Sequence, residues 1–333
     1  MASASLPSRA RAYAPGSIGN VGPGLDILGC AVTGAGDVVD VEWTSAPERA
    51  TGRDGLVSVA DAGHPDLPRE PTRHAAAIAA AAVLRAATPA VTRGIVLRAT
   101  KGLPLAGGQG GSAASAVAGA VAANALLGAP LGRDALLAAA LEAESQVAGH
   151  HADNVAPALL GGIVLIRSLE PLDIVRLPVP AELRIVLVQP DQRLRTADAR
   201  AVLPAQVDRA LAIRQSANVA AMIVAFTSGD FALLRRSLDD QIAEPARASL
   251  LPGFAEAKVA ALGAGALGCS ISGAGPTTFA FAADDATAAR IGRAMVAAYA
   301  ARNVSAVARV ARIDQYGARV ELCSEGDVLP IPC

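Results

Sequence analysis

Between Gly107 and Ser112 the chain reads Gly-Gly-Gln-Gly-Gly-Ser, four glycines closed by a hydroxyl. Without Cβ atoms, backbone amides there can come close to an anion. A turn that opens a helix leaves N–H groups free, and the helix dipole adds partial positive charge, so the place suits a phosphate. Ser112 falls at the expected cap, where its hydroxyl can reach a phosphate oxygen or a bound Mg²⁺. The competing reading is a flexible loop ahead of a buried Ala-rich helix. Two better-known phosphate motifs do not apply. A P-loop needs Gly-Lys-Ser/Thr at the helix start, and Lys101 lies before the glycines. A dinucleotide fingerprint needs strand, glycine turn and helix almost without gap. A formal G-x-G-x-x-G at Gly263–Gly268 stands in the reverse order and reads as a turn.

Three further groups of polar residues could do chemistry. The Gly/Pro-rich stretch Tyr13–Gly29 carries Ser17, Asn20 and Asp26. It reads as an irregular connection able to present an amide and a carboxylate to a ligand bearing an ammonium group. Glu144 closes an apolar helical segment, and the loop after it crowds together His150, His151, Asp153 and Asn154. The His-His-x-Asp spacing fits none of the usual structural zinc patterns. A substrate- or phosphate-handling cluster and an Asx-stabilised turn both remain open. Arg193, Arg195 and Arg200 bracket Thr196, and Arg247 follows Glu-Pro-Ala. Arginine pairs bidentately with carboxylates, so these side chains are either clamps for an acid or ordinary solvated surface.

The chain has the means to position such groups. Its 333 residues, 52% hydrophobic and 18% charged, allow two domains with substantial cores. Only 3% are aromatic, so Ala, Val, Leu and Ile must form those cores. A net charge of −1 and the lack of a basic, aromatic-interleaved stretch argue against nucleic acid. No apolar run approaches the roughly 20 residues of a membrane span, and no membrane partner is expected. Met1–Arg11 lacks an apolar signal core. Cys30, Cys269, Cys323 and Cys333 show no Cys-x-x-Cys spacing and read as free thiols, which favours the cytoplasm.

Along the chain, Val38–Trp43, Gly94–Thr100 and Ile163–Arg167 read as strands, with Pro47–Pro71 as a surface excursion. His74–Ala86, Ser112–Leu127 and Leu131–Ala148 read as helices. Prolines at 171, 178 and 180 suggest a boundary, giving domains 1–175 and 176–333. In the second half a strand at Leu183–Gln189 precedes helices at Ala205–Phe226, Phe231–Leu238 and Phe254–Leu262. Strands at Cys269–Gly273 and Thr277–Ala282, a helix at Ala286–Ala301 and a strand at Val304–Ile313 follow. That is the ferredoxin-like βαββαβ order with extra helices.

Taken together, four segments resemble motifs of the GHMP small-molecule kinases, most specifically the branch acting on homoserine. Pro104, Leu105, Ala106, Gly107, Gly108, Gln109, Gly110, Gly111, Ser112, Ala113 and Ala114 resemble Pro-x-x-x-Gly-Leu-Gly-Ser-Ser-Ala-Ala, with Gln109 for Leu and Gly111 for the first Ser. Gly16–Gly29 is similar to Ser-Ala-Asn-x-Gly-Pro-Gly-Phe-Asp-x-Leu-Gly, with Gly19 for Ala and Leu25 for Phe. His151–Gly162 resembles His-x-Asp-Asn-Val-Ala-Pro-x-x-x-Gly-Gly, and Ser272–Thr277 resembles Ser-Gly-Ala-Gly-Pro-Thr. One such motif is weak; four in order are specific.

The resemblance implies an α+β fold, with an N-terminal domain of the ribosomal-S5-domain-2-like type and a C-terminal ferredoxin-like one. It implies ATP and Mg²⁺, with residues 104–114 around the nucleotide and Ser112 and Glu144 as metal ligands. Asp153 matches the position where some relatives carry a general base, so Ser112, Glu144 and Asp153 are the implied catalytic residues. Asn20, Asp26, His151, Thr196, Arg200 and Arg247 match positions around homoserine, Asp26 being suited to its ammonium. No adenine-side asparagine is evident around Thr72–Ala75. Phosphorylation of homoserine in threonine biosynthesis is the implied activity. Another small alcohol as acceptor, or a nucleotide-binding regulator without catalysis, stays open. The oligomeric state does too, a homodimer being one option.

Overall fold

A computed structural model describes residues 6–44, 56–87, 91 and 93–323, with side chains to Glu321. Part of the 47–71 excursion, Cys333 and the side chain of Cys323 lie outside the described residues. Two sheets organise the chain. The first has seven strands. Its central ladder runs β11 (Arg319–Cys323), β1 (Arg9–Gly19), β2 (Leu28–Trp43), β4 (Ile95–Thr100) and β3 (Val57–Asp61). The other half of β2 pairs with β5 (Ile163–Leu169), which pairs with β6 (Leu172–Leu177). The second sheet orders β7 (Arg184–Pro190), β8 (Gly268–Ile271), β9 (Thr278–Ala282) and β10 (Ala306–Ala311) as β10-β7-β9-β8, all antiparallel. With the crossing helices, that is the ferredoxin-like arrangement expected.

Four elements depart from the sequence reading. Tyr13–Gly29 is not simply a connection: its first part belongs to β1, a central strand. Pro15 and Gly16 are accommodated because the β1–β2 register shifts between them, so a bulge absorbs the missing donor. The excursion contains β3, which runs parallel to β4. Around the expected boundary, β6 runs on to Leu177. The final strand β11 returns to the first sheet beside β1, so the fold crosses the 175/176 division.

Small residues shape the first layer. Helices α1 (Ala75–Ala86) and α2 (Gly111–Leu126) pack against its sheet, and α3 (Arg133–Val147) packs on α1 and α2. In α2 every residue from Ala113 to Leu126 is buried, with Ser115 and Asn124 as its buried polar residues, so the helix has no solvent face. At Gly119 a Cβ would lie 2.3 Å from the Ala76 carbonyl oxygen, which brings α1 and α2 unusually close. Short α4 (Val155–Leu160) leads into β5.

The second sheet is buried on both faces. Val186 and Val188 face α9 (Phe254–Gly263) and α10 (Asp285–Ala301). Ile185 and Leu187, alternating with them, join Ile18, Leu28 and Cys30 of the first sheet in one core. Phe279 and Phe281 complete that core with Phe226 of α6 (Arg209–Ser228). Helix α6, capped by Asp208, departs from the expectation about apolar runs. By length and composition alone it could span a membrane, with mean hydropathy 1.3, and 22% of that window is buried. Short helices α5 (Thr196–Ala201), α7 (Phe231–Ser237) and α8 (Ala243–Ala248) complete the second half.

Candidate active site

The two domains meet over a cavity of about 410 Å³. One wall is the glycine loop. Its carbonyl groups are held from behind: Thr277 Oγ1 donates to the Gly107 oxygen at 2.5 Å and Ser272 Oγ to the Gly108 oxygen at 2.6 Å. The Ser17 amide donates to the Gln109 oxygen at 3.1 Å. In a trans peptide, C=O and the next N–H point opposite ways. Pinning three successive carbonyls therefore turns the amides of Gly108, Gln109 and Gly110 to the other side. Gly107, Gly108, Gly110 and Gly111 line the cavity. The N-cap of α2 is Gly110, at φ 67°, so Ser112 sits at the second helical position instead of the cap. A Cβ on residue 110 would fall 2.1 Å from Ser17 Oγ, so glycine is required there.

Ser112 Oγ donates to Glu144 Oε1 at 3.1 Å, and both residues line the cavity. Glu144 is 6% exposed, and its Oε2 has no partner among the described residues. Burial pushes its pKa up to about 7, the Ser112 hydrogen bond working the other way. A buried carboxylate oxygen without a donor, beside a serine hydroxyl, suits a hard cation that takes oxygen ligands. Among the described residues no group of three or more His, Cys, Asp or Glu gathers as a metal cluster.

The opposite wall carries charge of both signs. Arg200 reaches across to Asp26, Nη2 to Oδ1 at 2.6 Å and Nη1 to Oδ2 at 3.3 Å. His151 Nδ1 stands 3.5 Å from the same carboxylate. Burial works against the Asp26 charge, but Arg200, His151 and Arg247 outweigh it and hold its pKa below the usual range. Arg247 is 2% exposed and donates only to the carbonyls of Ala199 and Gly273. Burial lowers its pKa, and it makes no ion pair with any described residue. A buried guanidinium without a carboxylate is a waiting anion partner. Asn20, at φ 54°, holds the first loop closed: its Oδ1 accepts from the Asp26 amide and its Nδ2 donates to the Gly273 oxygen. Thr196 opens α5 and lines the cavity.

Asp153 lies between the walls, 2% exposed. Its Oδ2 accepts the Asn20 amide at 2.9 Å. Burial, then the nearby Asp26 charge, raises its pKa to about 6, with Arg200 offsetting part.

Of the residues singled out from sequence, Asn20, Ser112, Glu144, His151, Asp153, Thr196, Arg200 and Arg247 share this cavity, with most of the glycine loop. Asp26 borders it through Arg200 and His151. Ser17, His150, Arg193 and Arg195 do not line it, and neither do Gln109, Ala113 and Ala114. Ala113 and Ala114 are fully buried, because α2 turns them into the core. The Gln109 side chain points away, into the second sheet.

Two residues were missed. Lys101 lines the cavity from the end of β4, and its ammonium donates to the Gly111 oxygen at 2.9 Å and to Ser115 Oγ at 3.0 Å. It also pairs with buried Asp37. A lysine was sought within the glycine loop, but this one reaches it through space. His74, 3% exposed, also borders the cavity; its Nε2 faces the Ala62 oxygen and its Nδ1 has no described partner. A lone histidine at a helix start gives no such signal in sequence.

Comparison with known proteins points the same way. The model of the GHMP kinases N terminal domain matches residues 75–162, and that of the GHMP kinases C terminal matches 222–301. A protein from Chlorobium phaeovibrioides named homoserine kinase is 43% identical, over 93% of this chain and 98% of its own. One from Arabidopsis thaliana, also named homoserine kinase, is 42% identical over 93% of this chain and 84% of its own. The crystal structure of homoserine kinase from Cytophaga hutchinsonii superposes with a TM-score of 0.89 at 38% identity, covering 96% of this chain and 99% of that one. L. major mevalonate kinase, at 16% identity and a TM-score of 0.70, shares the fold.

Proposed function

The chain belongs to the homoserine kinases of the GHMP kinase family, and on that premise we propose how its own residues carry the reaction. It transfers the γ-phosphoryl group of ATP to the δ-hydroxyl of L-homoserine, giving O-phospho-L-homoserine and ADP for threonine biosynthesis. The observation that carries the residue assignment is one cavity lined by the glycine loop and by Arg200 and Arg247, with Asp26 paired to Arg200 at its edge.

In this reading the amides of the glycine loop bind the terminal phosphates, and Lys101, engaged by Asp37, Gly111 and Ser115, holds that loop in place. Ser112 and Glu144 would hold Mg²⁺, which would supply charge neutralisation on the transferring group. Asp26 receives the substrate ammonium. Arg200 and Arg247 receive its carboxylate, so the zwitterion replaces the Asp26–Arg200 pair with two matched contacts. Asn20, His151 and Thr196 shape the space between. A bond forms between the hydroxyl oxygen and the γ-phosphorus as the bond to the β,γ-bridging oxygen breaks, and the hydroxyl proton is released. Positioning and charge provide most of the acceleration in such transfers. Asp153, held by the Asn20 amide, orients the loop instead of removing that proton. Buried free thiols at Cys30 and Cys269 favour a cytoplasmic setting.

The test is product identification by mass after incubation with ATP, Mg²⁺ and homoserine, with mevalonate and galactose in parallel. Phosphorylation of mevalonate or galactose but not homoserine would move the assignment to another GHMP kinase. ATP binding without any phosphate ester would make the chain a regulator.

A further inference from the structure

Gln109 occupies a position where the resembled motif has leucine, yet its side chain is only 4% exposed. It lies at a junction. Arg309, on edge strand β10, donates from Nη2 to Gln109 Oε1 at 2.9 Å and from Nη1 to the Thr33 oxygen at 2.7 Å. A guanidinium has only donors, so this contact fixes which end of the amide faces it. Gln109 Nε2 must then face the other way, where it donates to Thr277 Oγ1 at 3.3 Å and to Gln189 Oε1 at 3.2 Å. Thr277 Oγ1, having accepted from Gln109, uses its own proton on the Gly107 carbonyl at 2.5 Å. From Arg309 through Gln109 and Thr277 the donors run to the Gly107 carbonyl, with side branches from Arg309 to the Thr33 oxygen and from Gln109 to Gln189. The chain starts at a cation that makes no ion pair with any described residue, and whose pKa burial lowers. Hydrogen bonds from a charged donor are stronger than neutral ones, and linked bonds polarise one another.

We propose that Arg309 and Gln109 are positioning residues for the nucleotide: a buried polar relay runs from β10 through Gln109 and Thr277 to the Gly107 carbonyl and fixes the direction of the phosphate-binding amides. The physical link is the peptide plane. A firmly held Gly107 carbonyl sets the opposite aim of the Gly108 N–H. The uncompensated Arg309 charge adds positive potential behind the loop, and low dielectric preserves it. The relay therefore makes the phosphate grip depend on docking of the second sheet against the first. Homoserine contacts lie on the other wall, so the effect is on ATP.

This inference rests on the kinase reading, and the experiment separates their failures. Binding of MgATP to the full chain is measured by calorimetry for wild type, Gln109→Glu and Gln109→Leu/Arg309→Met. Gln109→Glu keeps an acceptor for Arg309, now a carboxylate, and removes the donors to Thr277 and Gln189. The double variant removes both ends of the buried pair, which is near neutral for stability when both partners become apolar. Both variants are expected to bind MgATP about 10-fold more weakly, with the homoserine KM within about 2-fold of wild type; that fold-change corresponds to about 1.4 kcal/mol. Wild-type MgATP affinity in a folded variant of either kind overturns the relay. Equal rises in the ATP and homoserine KM also overturn it, because a loss of general packing would move both. If the double variant does not fold, Gln109→Glu alone decides. Failure of the wild type itself to bind MgATP would overturn the kinase reading and the relay together.

Discussion

Asp26 and Asp153 are both carboxylates near one cavity, but their surroundings assign them different work. Asp26 faces two arginines and a histidine and stays ionised. Asp26→Asn keeps the shape and removes the charge that would meet an ammonium. A hydrogen bond to a charged group contributes about 1.5–3 kcal/mol, so the homoserine KM should rise roughly 10- to 100-fold with the ATP KM unchanged. Steady-state kinetics with each substrate varied will show whether the two separate. Asp153 is nearly sealed, with one oxygen engaged by the Asn20 amide. A general base contributes about 10²–10⁴-fold. Asp153→Asn is therefore expected to lower kcat by less than about 10-fold; a loss of 10²-fold or more would return the base role to it. The identities of these residues were legible in sequence through four ordered motifs. Lys101 was not, and Gln109 was legible only as a departure within the motif, because Lys101 reaches the glycine loop from another strand and the Gln109 side chain turns toward another sheet, and linear spacing carries no such information.

Elements reach the site by close packing of small side chains. Helix α2 delivers the glycine loop, and α1 holds α2 against the sheet through a contact that tolerates no Cβ at Gly119. Overpacking of this kind costs about 1–3 kcal/mol. Gly119→Val should lower the urea midpoint accordingly and broaden its effects to both substrates, unlike changes at the cavity wall. An unchanged midpoint would mean that the helices separate freely. Helices α1 to α3 and the strands of the second sheet could be read from apolar composition and the Gly and Pro signals at their ends, although α2, buried all round, has no apolar period. Strand β1 could not, because Pro15 and Gly16 look like a break until a bulge is known to absorb them. Strand β11 was missed for another reason: its partner β1 is more than three hundred residues away in the chain.

For the molecule as a whole, the buried Glu144, proposed as a metal ligand, links pH and stability. Its carboxyl has a pKa near 7 when folded and an ordinary value of 4.5. The folded protein thus holds a proton that the unfolded chain releases, and stability falls as pH rises between those values. The full difference is of order 3 kcal/mol. Asp153, raised to about 6, acts with the same sign. Denaturation of the ligand-free protein should therefore show greater stability at pH 5 than pH 8 from these groups, and Glu144→Gln should flatten the slope. Identical slopes in the two proteins would contradict the burial argument. Glu144→Gln should also raise the Mg²⁺ concentration needed for half-maximal rate.

The central claim is that one cavity brings a phosphate grip and an amino-acid clamp together. The most direct measurement is phosphorus NMR of the reaction with ATP, Mg²⁺ and homoserine, run beside the same reaction with homoserine lacking its carboxylate charge as the amide. The account predicts a new phosphate monoester resonance with homoserine and little or none with the amide. Equal turnover of the two alcohols, or ATP hydrolysed to inorganic phosphate with no ester formed, would contradict it.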